Sequence, residues 1–361
     1  MAEKILTGNE TFLLWGAGRW GGYLLRLFPE LPVKAFIDSN VEKQGQSVKL
    51  NREVPILSYE EARKAYPDAI IVITMLRVNV LRRLLLSLGY TERKDFFSIQ
   101  DFVARYALDC LNKYYLYSVV WMQNNTCSLQ CEGCLTYAPL AKEKVIRPLE
   151  ELKREADLLF KTIDKAMLVC FSSAEPFLHP QFVDFIEYCC QNYSDKCQTW
   201  NIVTNSTIVP DDEDLQRISK LEKVLFSLSD YSDRVSYQAK TQKRLIEKLE
   251  EYGIQYFLNV SSNEDYWDSP GDPRQINETS EKLLHDKYCA CSKSPYGIYQ
   301  GNLFYCMQAS LANMNFDIPI YEEDYYDLET ENDKEKLVNI ILRTPPNGYT
   351  EFCKHCNGRV G

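Results

Sequence analysis

From about residue 115 the chain alternates short apolar runs with amphipathic stretches, and this alternation confines it to strands and helices taken in turn. Leu116–Met122, Ala166–Phe171, Trp200–Val203, Val224–Leu228 and Tyr256–Val260 read as strands. The first helix between them starts at Pro148 and sets Leu149, Leu152, Ala156, Leu159, Phe160 and Ile163 on one face. Others cover Gln181–Tyr193, Glu213–Glu222 and Ala239–Tyr252, the last stopped by Gly253. Units of this length predict a partial (β/α)6 barrel of the TIM type over residues 112–265. The fold class is α/β.

A smaller α/β pattern precedes it. The apolar run at residues 12–15 leads into Gly16-Ala17-Gly18-Arg19-Trp20-Gly21 and an amphipathic Tyr23–Phe28 stretch, and a second strand, Val33–Ile37, ends at Asp38. In a mononucleotide-binding unit such glycines let the backbone approach a pyrophosphate at a helix N-terminus, and the acid meets a ribose hydroxyl. The same glycines serve strand–helix packing without any ligand. A helix near Tyr59–Ala65, a strand at Ala69–Thr74 and a helix over Val78–Leu88 complete a Rossmann-like domain over 1–105, with Gly16, Gly18, Gly21 and Asp38 as candidate nucleotide contacts. It resembles the small Rossmann-like modules attached to enzymes of polysaccharide and sugar-nucleotide modification.

After about residue 265 the rhythm is lost, and residues 266–361 are expected as a small irregular domain held by metal. That stretch carries five of the thirteen cysteines, and its acidic run Glu322–Glu335 reads as solvated surface. A net charge of -10 argues against nucleic-acid and anionic-membrane partners. No apolar run approaches the roughly 18 residues of a membrane span, and the start lacks a secretory pattern, so a cytoplasmic location is expected. In a reduced compartment closely spaced cysteines point to metal or catalysis. With three histidines in the chain, iron–sulfur ligation is the better class than mixed Cys/His zinc.

Cys127-Ser128-Leu129-Gln130-Cys131-Glu132-Gly133-Cys134 follows the strand Leu116–Met122 directly. Three thiolates on one loop hold three irons of a [4Fe–4S] cube and leave the fourth open to a chelating ligand; zinc is the alternative. The loop resembles the radical S-adenosylmethionine (radical SAM) family, which makes Cys127, Cys131 and Cys134 the catalytic cluster ligands. Where the family often has an aromatic residue, Gly133 stands. Ser173-Ala174-Glu175-Pro176 resembles the family's Gly-Gly-Glu-Pro segment with both glycines replaced, which implies that Glu175 holds the ammonium group of the methionine moiety. Thr204-Asn205-Ser206 is similar to its Thr-Asn-Gly segment, with Asn205 facing the cofactor, and Ser227–Asp230 to the segment near the ribose, which nominates Ser229 and Asp230. His179 reads as a structural turn residue, and Cys110, Cys170, Cys189, Cys190 and Cys197 as small apolar core residues.

Cys291, Gly301, Cys306 and the closing Cys353-Lys354-His355-Cys356 form a second group, with Gly301 at a hairpin turn that returns Cys306 towards the earlier cysteine. The pattern resembles the twitch form of the SPASM-type C-terminal extension and implies one auxiliary [4Fe–4S] cluster; Cys289 and Cys291 are both compatible as its first ligand, and structural zinc is again the alternative. The resemblance implies an enzyme that reductively cleaves S-adenosylmethionine with electrons from a flavodoxin- or ferredoxin-type donor and abstracts hydrogen from a substrate C–H bond. A sugar, nucleotide sugar or cyclitol is the favoured substrate class, oxidised or epimerised. The other readings are maturation of a ribosomal peptide and a non-catalytic iron–sulfur sensor.

Overall fold

The structure is a computed structural model that describes residues 3–50, 52–75, 78–233, 235–260, 269–291 and 295–358. The chain divides into two compact units, 1–117 and 118–360. Among the described residues no helix is long and apolar enough to cross a membrane.

The first unit is built on a six-stranded sheet. Its elements run β1 (Phe12–Trp15), α1 (Arg19–Leu27), β2 (Val33–Ile37), β3 (Ser47–Lys49), β4 (Glu53–Leu57), α2 (Tyr59–Ala65), β5 (Ile70–Ile73), α3 (Val78–Ser87), β6 (Phe96–Ser98) and α4 (Ile99–Leu111). The strand order is β3-β4-β2-β1-β5-β6, parallel except at the β3–β4 edge. Leu13, Ala35, Ile71 and Ile73, none more than 1% exposed, form the centre of the core on one face, as fully apolar strands buried on both sides of a parallel sheet require. Residue 105, where this domain was expected to end, lies inside α4, which Ser98 caps by accepting from the Asp101 N–H at 3.1 Å.

In the second unit β7 (Tyr115–Trp121), α5 (Leu149–Thr162), β8 (Lys165–Phe171), α6 (Phe182–Tyr193), β9 (Trp200–Thr204), α7 (Asp212–Ile218), β10 (Val224–Asp230), α8 (Gln238–Glu251) and β11 (Tyr256–Val260) follow the expected alternation. The five strands lie in sequence order; a sixth strand beyond β11, and the boundary expected at 265, would fall at or beside residues 261–268, outside the described residues. Trp121 and Trp200 are fully buried, and Phe171 lies between them, with Phe185 at 5.7 Å and Trp200 at 6.4 Å between ring centroids. Rings of this size contribute the larger part of such a core. A buried, two-armed ion pair joins Arg147, before α5, to Glu155 on it (3.0 and 3.1 Å), while the arginine also donates to the Met122 carbonyl at the end of β7.

The tail is not irregular. It forms α9 (Glu281–Ala290), β12 (Tyr296–Tyr299), β13 (Asn302–Phe304), α10 (Met307–Asn315), β14 (Tyr325–Asp327) and α11 (Lys334–Leu342). β12 pairs in parallel with β7, and β13 and β14 add antiparallel, so the second sheet reads β11-β10-β9-β8-β7-β12-β13-β14. The predicted hairpin is present, turning at Gln300–Gly301, and the Gly301 N–H donates to Glu155 at 2.9 Å. The expected solvated acidic run is broken by Asp324, 3% exposed, whose carboxylate accepts from the Glu351 and Phe352 N–H groups at 2.7 and 2.6 Å. Burial pushes its carboxyl up to about 7 against those two bonds.

Candidate functional site

Parallel strands deliver whatever follows them to one edge of the sheet, and ligands gather there. The cysteine loop follows β7, Ser172–Glu175 follow β8, Asn205 follows β9 and Tyr231 follows β10. Cys127, Cys131 and Cys134 line one cavity of about 390 Å³ together with Ala174, Asn205 and Ser229. The Asn205 amide donates to the Cys127 sulfur at 3.4 Å and to the Ser128 hydroxyl at 3.1 Å. The Leu129 N–H also reaches the Cys127 sulfur at 3.4 Å. Burial raises the Cys127 thiol, and these donors oppose the rise. Gly133 has φ +67°, a left-handed turn between Cys131 and Cys134 that an aromatic residue adopts at a cost.

Glu175 does not line this cavity. It is fully buried, and its carboxylate accepts from the Thr204 hydroxyl (2.9 and 3.0 Å), the Asn205 N–H (3.0 Å) and the Phe177 N–H (3.4 Å). Burial pushes it up to about 7, with those bonds pulling the other way. Its backbone N–H donates to Thr126 and its carbonyl accepts from Asn124, at 3.0 and 3.1 Å. The side chain ties the end of β8 to the end of β9. Asp230 also stands off the lining and accepts from the Ser232 N–H at 2.9 Å.

Two of the three residues that stand where the family has glycine keep the left-handed backbone that glycine favours, Ala174 with φ +59° and Ser206 with φ +60°, and Ser173 does not. Holding each there costs an L-residue about 1 kcal/mol. Three participants carry no signal in the sequence. Tyr231 and Asn259 line the cavity, and Gln238, fully buried on α8, donates to the carbonyls of Asn205 (2.5 Å) and Ser229 (2.8 Å). Cys170, treated as a core residue, is buried and touches the cavity as well; Cys189, Cys190 and Cys197 are core. His179 is buried rather than at the surface, with its Nε2 2.8 Å from the Arg147 carbonyl.

A second cavity is lined by Cys291, Cys306, Cys353 and Cys356, with Tyr288, Tyr305 and Phe352 as walls. Cys291 caps the end of α9, Cys306 caps the start of α10, and the other two sit on and after a short 3-10 turn, Glu351–Lys354. Cys289, the alternative first cysteine, is exposed outside this cavity, 3.8 Å from the His285 ring. Burial pushes the thiols of Cys306, Cys353 and Cys356 up to about 11, 12 and 12. Bare thiolates are therefore disfavoured here. Lys287 donates to the carbonyls of Cys353 and Cys356 (3.1 and 2.9 Å), and the Arg343 guanidinium lies 4.0 Å from the centre of the Tyr296 ring, both adding positive charge. Tyr137 is 1% exposed, and its hydroxyl has no hydrogen-bond partner among the described residues.

In the first unit the glycine turn divides by role. A Cβ on Gly16 would meet the Thr74 carbonyl at 2.8 Å, and one on Gly21 would meet the Phe36 ring at 2.5 Å, so these two are needed for packing. A Cβ on Gly18 would meet nothing within 4 Å. Asp38 accepts from the Ala17 N–H (3.1 Å) and the Lys43 ammonium (3.0 Å), closing the turn itself.

Residues 124–265 match the Radical SAM superfamily, whose members are enzymes that use a [4Fe–4S] cluster and S-adenosylmethionine. The chain is similar to the crystal structure of Streptococcus suis SuiB bound to S-adenosylmethionine (14% identity, 46% of this chain and 39% of that chain, TM-score 0.36). It is also similar to native anSMEcpe with bound AdoMet (13%, 67% and 86%, TM-score 0.41) and to BtrN in complex with AdoMet and 2-DOIA (12%, 68% and 96%, TM-score 0.40). It thus spans about 39% of the length of SuiB. No curated protein matches the chain.

Proposed function

We propose that the chain is a radical SAM enzyme with two iron–sulfur centres, one on Cys127, Cys131 and Cys134 and an auxiliary one on Cys291, Cys306, Cys353 and Cys356. The observation that carries this is the gathering of the three loop thiols with Asn205 and Ser229 on one roomy cavity at the strand ends. When bound, the first cluster and S-adenosylmethionine together supply reductive cleavage to methionine and a deoxyadenosyl species that removes hydrogen from a substrate C–H bond. The protein's own part is placement. Asn205 orients the loop through Cys127 and Ser128, Glu175 fixes the strand end that carries Asn205, and Gln238 joins that end to β10. The left-handed turns at Ala174 and Ser206 keep the backbone clear of the cavity despite the missing glycines, which supports a working cofactor site over a sensor.

The domain reading that accompanies this takes 1–105 as Rossmann-like, 112–265 as the catalytic partial barrel and 266–361 as twitch-like. The order of the first sheet and the single set of four second-site thiols support it. Together with the Rossmann-like first unit, one auxiliary cluster on that set supports a substrate of the sugar, nucleotide-sugar or cyclitol class, oxidised or epimerised at one carbon. Anaerobic reconstitution tests the proposal. About eight irons per chain and 5′-deoxyadenosine formed from S-adenosylmethionine and a strong reductant are expected. A fully loaded protein that forms none overturns the enzymatic reading.

A further inference from the structure

The helix between the two thiol sets touches both. α10 begins immediately after Cys306, its N-cap, which lines the second cavity, while its first residue, Met307, lines the first. Gln308, 1% exposed, donates to the Leu135 carbonyl at 3.2 Å. Asn315 donates to the Thr136 carbonyl at 3.1 Å. The two carboxamides stand seven residues apart, two turns of one helix face, and they hold the two peptides that directly follow Cys134. The Thr136 hydroxyl in turn lies 3.2 Å from the Cys134 sulfur, and the Tyr137 N–H donates to the Cys134 carbonyl at 3.1 Å. On its other side the Gln308 carboxamide accepts from the Cys306 thiol at 3.6 Å. A second, separate observation marks the same junction: the buried Tyr137 hydroxyl has no partner among the described residues, and neither has the Asn315 carboxamide oxygen.

We infer that Gln308 and Asn315 are positioning residues that set the first thiol loop from a helix anchored in the second thiol set, so that filling the second site orders the first. The inference rests on the reading that Cys306, Cys353 and Cys356 hold a metal centre. A helix is stiff along its axis, so fixing its capping residue fixes the two carboxamides together. By linkage, ordering at either site favours ordering at the other.

Amide hydrogen exchange over residues 135–140 in the anaerobically reconstituted full chain tests this, with iron counted in the same samples. Removing the second site by Cys353→Ala with Cys356→Ala is expected to speed exchange there about tenfold. In a Gln308→Leu/Asn315→Leu background the same removal is expected to change it less than about twofold. A purely structural role for the carboxamides would leave the tenfold ratio intact in that background, and that result overturns the inference. Unchanged exchange when the second site is removed overturns it as well. The amides of α5 report global folding; if they also exchange fast in the double variant, Gln308→Leu alone replaces it under the same criteria. About eight irons in the parent and about four without Cys353 and Cys356 uphold the two-centre reading independently. About four in both remove that reading, and the coupling with it.

Discussion

The two thiol sets of the second unit differ in number, walls and polarity, and on the proposed reading the difference is that between an open site and a closed one. Cys127, Cys131 and Cys134 share a cavity of about 390 Å³ with Asn205, Ser229 and Asn259, room and polar groups enough for a reagent. Cys291, Cys306, Cys353 and Cys356 line one cavity with Tyr288, Tyr305, Phe352, Arg343 and Lys287. Three donors leave a cube one open iron, whereas four close it. Each set is also backed by a buried carboxylate that accepts backbone N–H groups: Glu175 holds Asn205 and Phe177 at the first, and Asp324 holds Glu351 and Phe352 at the second.

The contrast breaks most sharply on activity. Cys127→Ala is expected to bring 5′-deoxyadenosine formation down to the level of a reaction without enzyme, while Cys353→Ala with Cys356→Ala keeps it within about tenfold of the parent. Equal losses would mean that the first set cannot work without the second, whether through direct action on the cofactor or through the order that α10 imposes on the loop. Metal removal should show the reverse order. Cys353→Ala with Cys356→Ala leaves two thiols and no bound metal to hold the pocket together, so it should lower the melting temperature of the reconstituted protein by roughly 5 °C or more, and Cys127→Ala by less than about 2 °C.

A smaller effect concerns pH. Glu175 titrates at about 7 in the folded chain against the ordinary 4.5, so the folded state binds its proton more tightly than the unfolded state. Its contribution is fully present below pH 4.5 and is lost as pH rises through 7. The loss amounts to about 3 kcal/mol. Glu175→Gln should therefore flatten the fall in urea-unfolding stability between pH 5 and 7.5. An unchanged slope would show that the carboxylate behind the first site is ionised throughout. The smallest change expected is a gain: Ala174→Gly and Ser206→Gly relieve left-handed strain and should each stabilise the chain by about 0.5–1 kcal/mol in the same assay.

How far these features can be read from the sequence follows from how local they are. β1, β2, β11 and α2 stand where their apolar runs or periodic patterns place them, and the cysteine loop is visible because its cysteines are separated by only three and two residues. α10 was missed for a physical reason. Met307, Gln308, Ala309, Ser310, Leu311, Ala312 and Met314 are all buried, so no polar face gives it a helical period. Tyr231, Asn259 and Gln238 join the first site through pairings that only the sheet creates, and the choice between Cys289 and Cys291 depends on where α9 ends. The partners of Glu175, Thr204 and Asn205, lie 29 and 30 residues away, a pairing that only the sheet brings about.

The parallel pairing of β12 with β7 bears on how the chain can be divided. A strand contributed from residues 296–299 completes the hydrogen-bonding of the strand that launches the cysteine loop. A fragment ending at β11 would retain every loop thiol of the first site, yet it would present β7, buried along its whole length in the full chain, as a bare edge, a template for another chain to add to. The tail is in this sense a resident guard strand, and the minimal stable unit carrying the first site extends past it.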